Sequence, residues 1–313
     1  MLTYALRRIV WTIPKLLVVF TIVFFVMRVM GGDPTHVILG EYATAEAIQN
    51  LRETLGLNRH ILLQYGDALL GLLRGDMGRS MISNQPIGPM VLEVLPYTLE
   101  LALASIVIGV VLGIPTGILS ALRKNSWVDY LLRVVSLIGL SAPSFYLGIV
   151  LLILFSVQYD FFPIIGYSTK GGLLSRLHHL FLPALSLGLT LGAFTSRMSR
   201  SSMLERLGAD YVRTARAKGL PERTVIFKHA FKDSLIPIIT VVGVYIGVLM
   251  GGSILTETVF NRPGLGKFLI GAIHQRDYNA IQAGLVIYAS IVVFVNVFVD
   301  IVYGFIDPRV KYD

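Results

Sequence analysis

Leu99–Leu122 reads LELALASIVIGVVLGIPTGILSAL, 24 residues with a single charge, Glu100, near its start. About 20 apolar residues cross the hydrocarbon core of a bilayer, so this stretch has the length and composition of a membrane span. Gly109, Gly113 and Gly117 recur every four residues within it. That spacing strips one helix face of side chains and permits close helix–helix approach in lipid.

Comparable runs lie on either side. Ile9–Met30, Leu131–Ser156, Leu180–Ser196, Leu235–Thr256 and Ala283–Phe305 bring the expected total to six spans. Leu180–Ser196 is the shortest and carries Pro183 near its start. Pro115, Pro143 and Pro183 are expected to kink their spans, a tolerated feature where other helices re-satisfy the freed backbone. Leu235–Thr256 holds a second glycine row, Gly243, Gly247 and Gly251, beside Tyr245 and Gly252. Both rows are expected either to pack helices together or to line a path. Composition agrees with a membrane protein. Apolar residues make up 54% and charged residues 15% of 313, against roughly 25% charged in soluble chains.

The net charge of +8 does not point to nucleic acid, because Lys and Arg cluster between apolar runs with few aromatics among them. Cytoplasmic loops carry the excess of Lys and Arg in membrane proteins. With the N-terminus inside, the inner segments carry 15 such residues and the outer loops 9, four of them in the long loop 31–97. Long loops translocate largely regardless of charge. Both termini are therefore expected in the cytoplasm. Arg7 and Arg8 precede the first run as in a signal peptide, but the run is long and Gly31–Pro34 is no small-x-small cleavage site, so a retained helix is expected.

In the outer loop, Thr44–Leu55 has helical spacing, with Thr44 as cap and Gly56 closing it. Gly75–Ser80 and Pro86–Pro89 read as turns. The loop reads as a small external subdomain, too polar to sit in lipid.

The inner segment Arg197–Ser234 carries nine cations and a helix-stop signal. Leu204–Lys218 holds good helix formers. Gly219 supplies a left-handed terminal position and Pro221 cannot continue the helix. Pro221 and Glu222 suit the first turn of a second short helix, with Val225, Ile226, Phe227, Ala230 and Phe231 as its apolar stripe. The expectation is two short helices meeting at a corner beneath the membrane.

Asp210-Tyr211-Val212-Arg213-Thr214-Ala215-Arg216-Ala217-Lys218-Gly219-Leu220 resembles the coupling motif of ATP-binding-cassette importer permeases, in particular the dipeptide, oligopeptide and nickel family. The Glu-Ala-Ala triplet of the general motif falls on Arg213, Thr214 and Ala215, so the glutamate is missing, as is usual in the peptide branch. Shorter matches run in order along nearly the whole chain. They include Gly32-Asp33-Pro34, Gly75–Ser80, Pro96–Leu101, Arg197–Met203, Pro263–Gly266, Arg276-Asp277-Tyr278 and Asp307-Pro308-Arg309. Arg262 departs from the tryptophan often found before the equivalent of Pro263.

The resemblance implies an all-α integral membrane protein with the type I ABC importer permease fold. Residues 1–93 would form the first helix and external subdomain, 94–305 the permease core, and 306–313 a cytoplasmic tail. It implies a bacterial inner-membrane location and a path for peptides, with nickel, metal chelates or glutathione as alternatives. Partners would be a second, related permease in a heterodimer, two ATPase subunits and an extracytoplasmic binding protein. The coupling residues would be Asp210, Tyr211, Arg213, Thr214, Ala215, Ala217, Lys218, Gly219 and Pro221.

Other chemistries find little support. No Gly-x-x-x-x-Gly-Lys-Ser/Thr occurs, so no cofactor is expected on this chain, and the resemblance implies ATP and Mg on the partner ATPases. Ser141 and Ser144 lack the histidine or acid that a hydrolase needs. No acid or histidine falls near a span midplane, against an ion-coupled transporter. Lys15, Arg28, Arg133 and Asp300 lie where they can snorkel or pair. Five of six histidines fall on the outer side, His178 and His179 adjacent, and they are read as solvated loop residues with no metal site. Cysteine is absent.

Overall fold

The computed structural model describes residues 2–30, 34–40, 43–168 and 170–306. Gly32, Asp33, the Asp307–Arg309 motif and the tail beyond 306 lie outside the described residues, as do the side chains of His36 and Asp300.

The described residues form helices in the order α1 (Leu2–Met30), α2 (Pro34–Leu39), α3 (Ala45–Thr54), α4 (Ile61–Leu73), α5 (Ile87–Leu122), α6 (Trp127–Ser141) and α7 (Ser144–Leu152). There follow α8 (Gly172–Leu207), α9 (Asp210–Ala217), α10 (Glu222–Thr224), α11 (Lys232–Val259), α12 (Leu265–His274) and α13 (Tyr278–Ile306). Two compact units emerge, one centred on Thr98–Arg262, the other on Leu6–Tyr97 with Pro263–Phe294. Among the described residues, five helices are long and apolar enough to cross a membrane, and α6 with the helical stretch Ser144–Gln158 passes the same test only as a bent pair.

Helix α5 explains why the protein needs lipid. Leu103, Val107 and Val111 are more than half exposed. At 100° per residue they lie about 120° around the helix from the glycine row. Water would penalise such a patch; hydrocarbon does not. Helix α8 has 36 residues, about 54 Å. That exceeds the ~30 Å hydrocarbon core, so several of its turns project beyond it.

Four expectations need correction. The kink expected at Pro143 is a full break: α6 and the helical stretch Ser144–Gln158 are bent by 104°. Pro143 disfavours helical backbone at the residue before it, and Ala142 is extended (φ −88°, ψ 130°). Pro86–Pro89 is not all turn, because α5 begins at Ile87, and a proline in the first helical turn loses no intrahelical bond. The second short inner helix is not separate. The chain from Glu222 passes through a π-helical stretch, Val225–Phe231, directly into α11.

The fourth correction concerns the loop after the first span. Thr44 caps α3 as expected, accepting from the Ala47 amide at 3.3 Å, and Gly56 has φ +65°. Helix α4, however, is apolar and packs along α1. The Tyr65 ring lies 5.6, 5.4 and 5.8 Å from those of Phe20, Phe24 and Phe25, and its hydroxyl meets Thr21 Oγ1 at 2.8 Å. This part of the loop is built for an apolar setting.

Candidate functional site

The α9 elbow forms because backbone and side chains agree on where it stops. Helix α8 ends at Leu207, and Ala209 is extended (φ −72°, ψ 151°) before α9 begins. At the other end Gly219 has φ +75°. Its amide donates to the Arg216 carbonyl (2.9 Å) and the Leu220 amide to that of Ala215 (3.4 Å). This pair of bonds is a Schellman close, which glycine adopts without steric penalty. Arg216 then grips Glu222 through two bonds, Nε to Oε2 at 3.1 Å and a terminal nitrogen to Oε1 at 2.7 Å. The carboxylate raises the Arg216 pKa above its ordinary value.

Two residues anchor α9. Val212 and Ala215 are buried against Ile118 and Ala121 of α5, Met203 of α8, and Val225 and Ala230. Burying a valine contributes about 1.5–3 kcal/mol. An exposed ion pair such as Asp210–Arg213, 3.7 Å apart, contributes about 0–1. The apolar anchor therefore decides how α9 sits. Asp210, Arg213, Thr214, Ala217, Lys218, Gly219 and Pro221 are exposed and form the free side. Tyr211 is partly exposed, and burial, with Asp233 accepting its hydroxyl, pushes its pKa up. Ala215 thus belongs to the anchor, while the other expected coupling residues lie outside it.

Beneath the elbow is a polar lock. Asp129 is wholly buried at the start of α6. It takes two bonds from Arg200 of α8 (Nε–Oδ1 2.7 Å, terminal nitrogen–Oδ2 2.8 Å), one from Ser120 of α5 (2.6 Å) and one from the Asn125 amide (3.0 Å). A bidentate arginine–carboxylate pair fixes geometry as well as charge. The lock ties together three helix ends, two of which supply the floor on which Val212 and Ala215 rest. The sequence offered half the signal: Ser126-x-x-Asp129 is a capping pattern, and Ser126 Oγ accepts the Asp129 amide at 3.4 Å. Arg200 lies 71 residues away.

The glycine rows separate. A Cβ on Gly109 would lie 2.6 Å from Leu191, and one on Gly113 2.6 Å from the Gly192 carbonyl oxygen. At Gly117 it would overlap the Ser196 carbonyl oxygen. Helix α8 therefore lies against the α5 row. On α11, a Cβ on Gly243 would run into Val299, one on Gly247 would meet only Asn296, at 4.0 Å, and one on Gly251 would meet nothing within 4 Å. A Cβ on Gly252 would lie 3.1 Å from Ser144 Oγ, and Tyr245 stacks at a tilt on Phe194, centroids 4.5 Å apart.

At the other end of the same unit Arg262 is 1% exposed. It donates to Glu100 Oε2 at 2.6 Å and to the Gly166 carbonyl at 2.5 Å. Glu257, also buried, accepts from Thr98 at 2.7 Å. The departure noted at position 262 is thus a charge with a carboxylate partner supplied by α5.

Comparison with known proteins agrees with this architecture. The family described as binding-protein-dependent transport system inner membrane component matches residues 113–312, and its N-terminal companion matches residues 1–102. The chain is 40% identical to the dipeptide transport system permease protein DppB of Alkalihalophilus pseudofirmus, over 100% of both chains. It is 36% identical to the glutathione transport system permease protein GsiC of Escherichia coli, again over 100% of both. Among solved structures, an inward-facing MetNI methionine ABC transporter chain aligns with a TM-score of 0.57 at 18% identity, covering 70% of this chain and 96% of that one. The expected all-α fold of a type I ABC importer permease stands. The chain belongs to the binding-protein-dependent transport system inner membrane components, the membrane permease subunits of ABC importers.

Proposed function

We propose that this chain forms half of a path through the bacterial inner membrane for peptides, opened and closed by separate ATPase subunits that push on α9. The observation that carries the coupling reading is the two-sidedness of α9: an apolar side anchored on α5 and α8, and a free side of small and charged residues. A groove on an ATPase would receive Asp210, Arg213, Thr214, Ala217 and Lys218. Small residues at Ala217 and Gly219 allow close approach. Movement of α9 would pass to α8 and α5 through Val212 and Ala215, and to α11 through the Arg216–Glu222 brace.

The peptide substrate is supported by full-length relatives named for dipeptide and glutathione transport. Both are peptides in the chemical sense. A second, related permease, two ATPases with their ATP and Mg, and an external binding protein complete the proposed assembly. Both termini lie in the cytoplasm in this reading, with residues 94–305 as its core. Gly251 and Tyr245 face the path or the second permease. In proteoliposomes holding the full complex, a labelled dipeptide should enter only with binding protein outside and ATP on the ATPase side. Uptake driven by an ion gradient without ATP would overturn the proposal in favour of a secondary transporter.

A further inference from the structure

A cavity of about 210 Å³ lies wholly within the second unit, between α1, α4, the 76–78 turn and the start of α13. Its lower wall is apolar, including Phe20, Leu72 and Val286. Its rim carries Arg28, Asp67 and Asp76. Arg28 ends one candidate span and α13 begins another, so the rim sits at one membrane boundary. Phe20 lies eight residues back along α1, about 12 Å towards the hydrocarbon.

Arg28 is the unusual member. Its Nε is buried without a hydrogen-bond partner, and its guanidinium lies over the Phe24 ring at 5.5 Å. A buried, unsatisfied donor on a charged group is costly, and an incoming anion would relieve that cost. Asp67 and Asp76 are exposed. Asp67 meets Arg59 at 2.5 Å, and Asp76 Oδ1 accepts the Gly78 amide at 2.8 Å, which leaves carboxylate oxygen free for a cation. A guanidinium with an unsatisfied Nε and two carboxylates on one rim, above an apolar wall, match a ligand with an anion, an ammonium group and an alkyl tail.

We propose that this cavity holds the headgroup of a zwitterionic aminophospholipid, its phosphate on Arg28 and its ammonium group between Asp67 and Asp76. The apolar wall running down α1 and α13 favours a lipid over a free zwitterionic peptide, which has no tail to place there. The site requires only that α1 and α13 cross the membrane, so it stands or falls separately from the transport reading.

The test is native mass spectrometry of the full chain, purified in mild detergent and equilibrated with equal amounts of phosphatidylethanolamine and phosphatidylglycerol of matched acyl chains. Wild type should retain the ethanolamine lipid preferentially. Arg28→Met should cut its retention about tenfold, the loss of one charge-assisted contact, and Arg28→Lys should keep part of it. The surface double variant Asp67→Asn/Asp76→Asn should keep lipid but lose the preference. Equal retention of both lipids by wild type would reduce Arg28 to a snorkelling cation and overturn the site. So would unchanged retention in the Arg28→Met variant, and displacement of the lipid by about 1 mM glycylglycine would overturn its assignment to lipid.

Discussion

Helices α5 and α11 each carry three glycines spaced four apart, and the two rows meet different surroundings. The α5 row is roofed by α8, with backbone oxygen of Gly192 and Ser196 where side chains would go. The α11 row is closed only at Gly243 and opens progressively to Gly251. The first row is a seam of the fold. The second is a surface with one closed end, available to a path or a neighbouring subunit. The elbow repeats the contrast on a smaller scale, with Val212 and Ala215 fixed and Ala217 free.

Breaking the fixed side should cost most. Asp129→Ala leaves Arg200 facing the lock without its partner, and truncating one member of a buried pair destabilises by about 3–5 kcal/mol. Its thermal unfolding in detergent should shift sharply downward; an unshifted transition would show that the lock is dispensable. Gly117→Val drives a side chain into the Ser196 carbonyl, which cannot rotate away. Overpacking typically costs about 1–3 kcal/mol, and a backbone obstacle places this variant at the upper end. Poor recovery of folded chain is expected, and wild-type yield would separate α5 from α8 at this point.

Gly219→Val tests the free side. Its added Cβ meets nothing within 4 Å, so only the positive φ is strained, by about 1–2 kcal/mol. The variant should insert and fold yet lose ATP-dependent uptake; full uptake would remove the coupling reading. The smallest effect, of opposite sign, belongs to Gly251→Ala. A helical glycine with open space gains about 0.4–1 kcal/mol on replacement, so the isolated chain should become slightly more stable. A marked loss would mean that something on α11 is already close to that face.

The sequence made the apolar runs, the Thr44 cap and the Gly219 stop legible, because each is decided within one or two helical turns. It did not reveal which glycine row is a seam, because the neighbour of Gly113 is Gly192 on another helix. Asp129 with Arg200 and Arg262 with Glu100 were hidden for the same reason, each pair being fixed by the fold across 71 and 162 residues. Helix α4 went unread because a largely apolar helix of 13 residues is too short to span a membrane and long enough to line α1. The α6–α7 break was half legible: Pro143 announced a disturbance but not its 104° size.

The absence of cysteine makes the central claim directly testable. With Ala217→Cys as the sole thiol, a short bifunctional reagent applied to membranes containing the whole transporter should join this chain to an ATPase subunit, and ATP should change the yield. A thiol labelled by an impermeant reagent from outside the cell, with no adduct to any ATPase, would contradict the account.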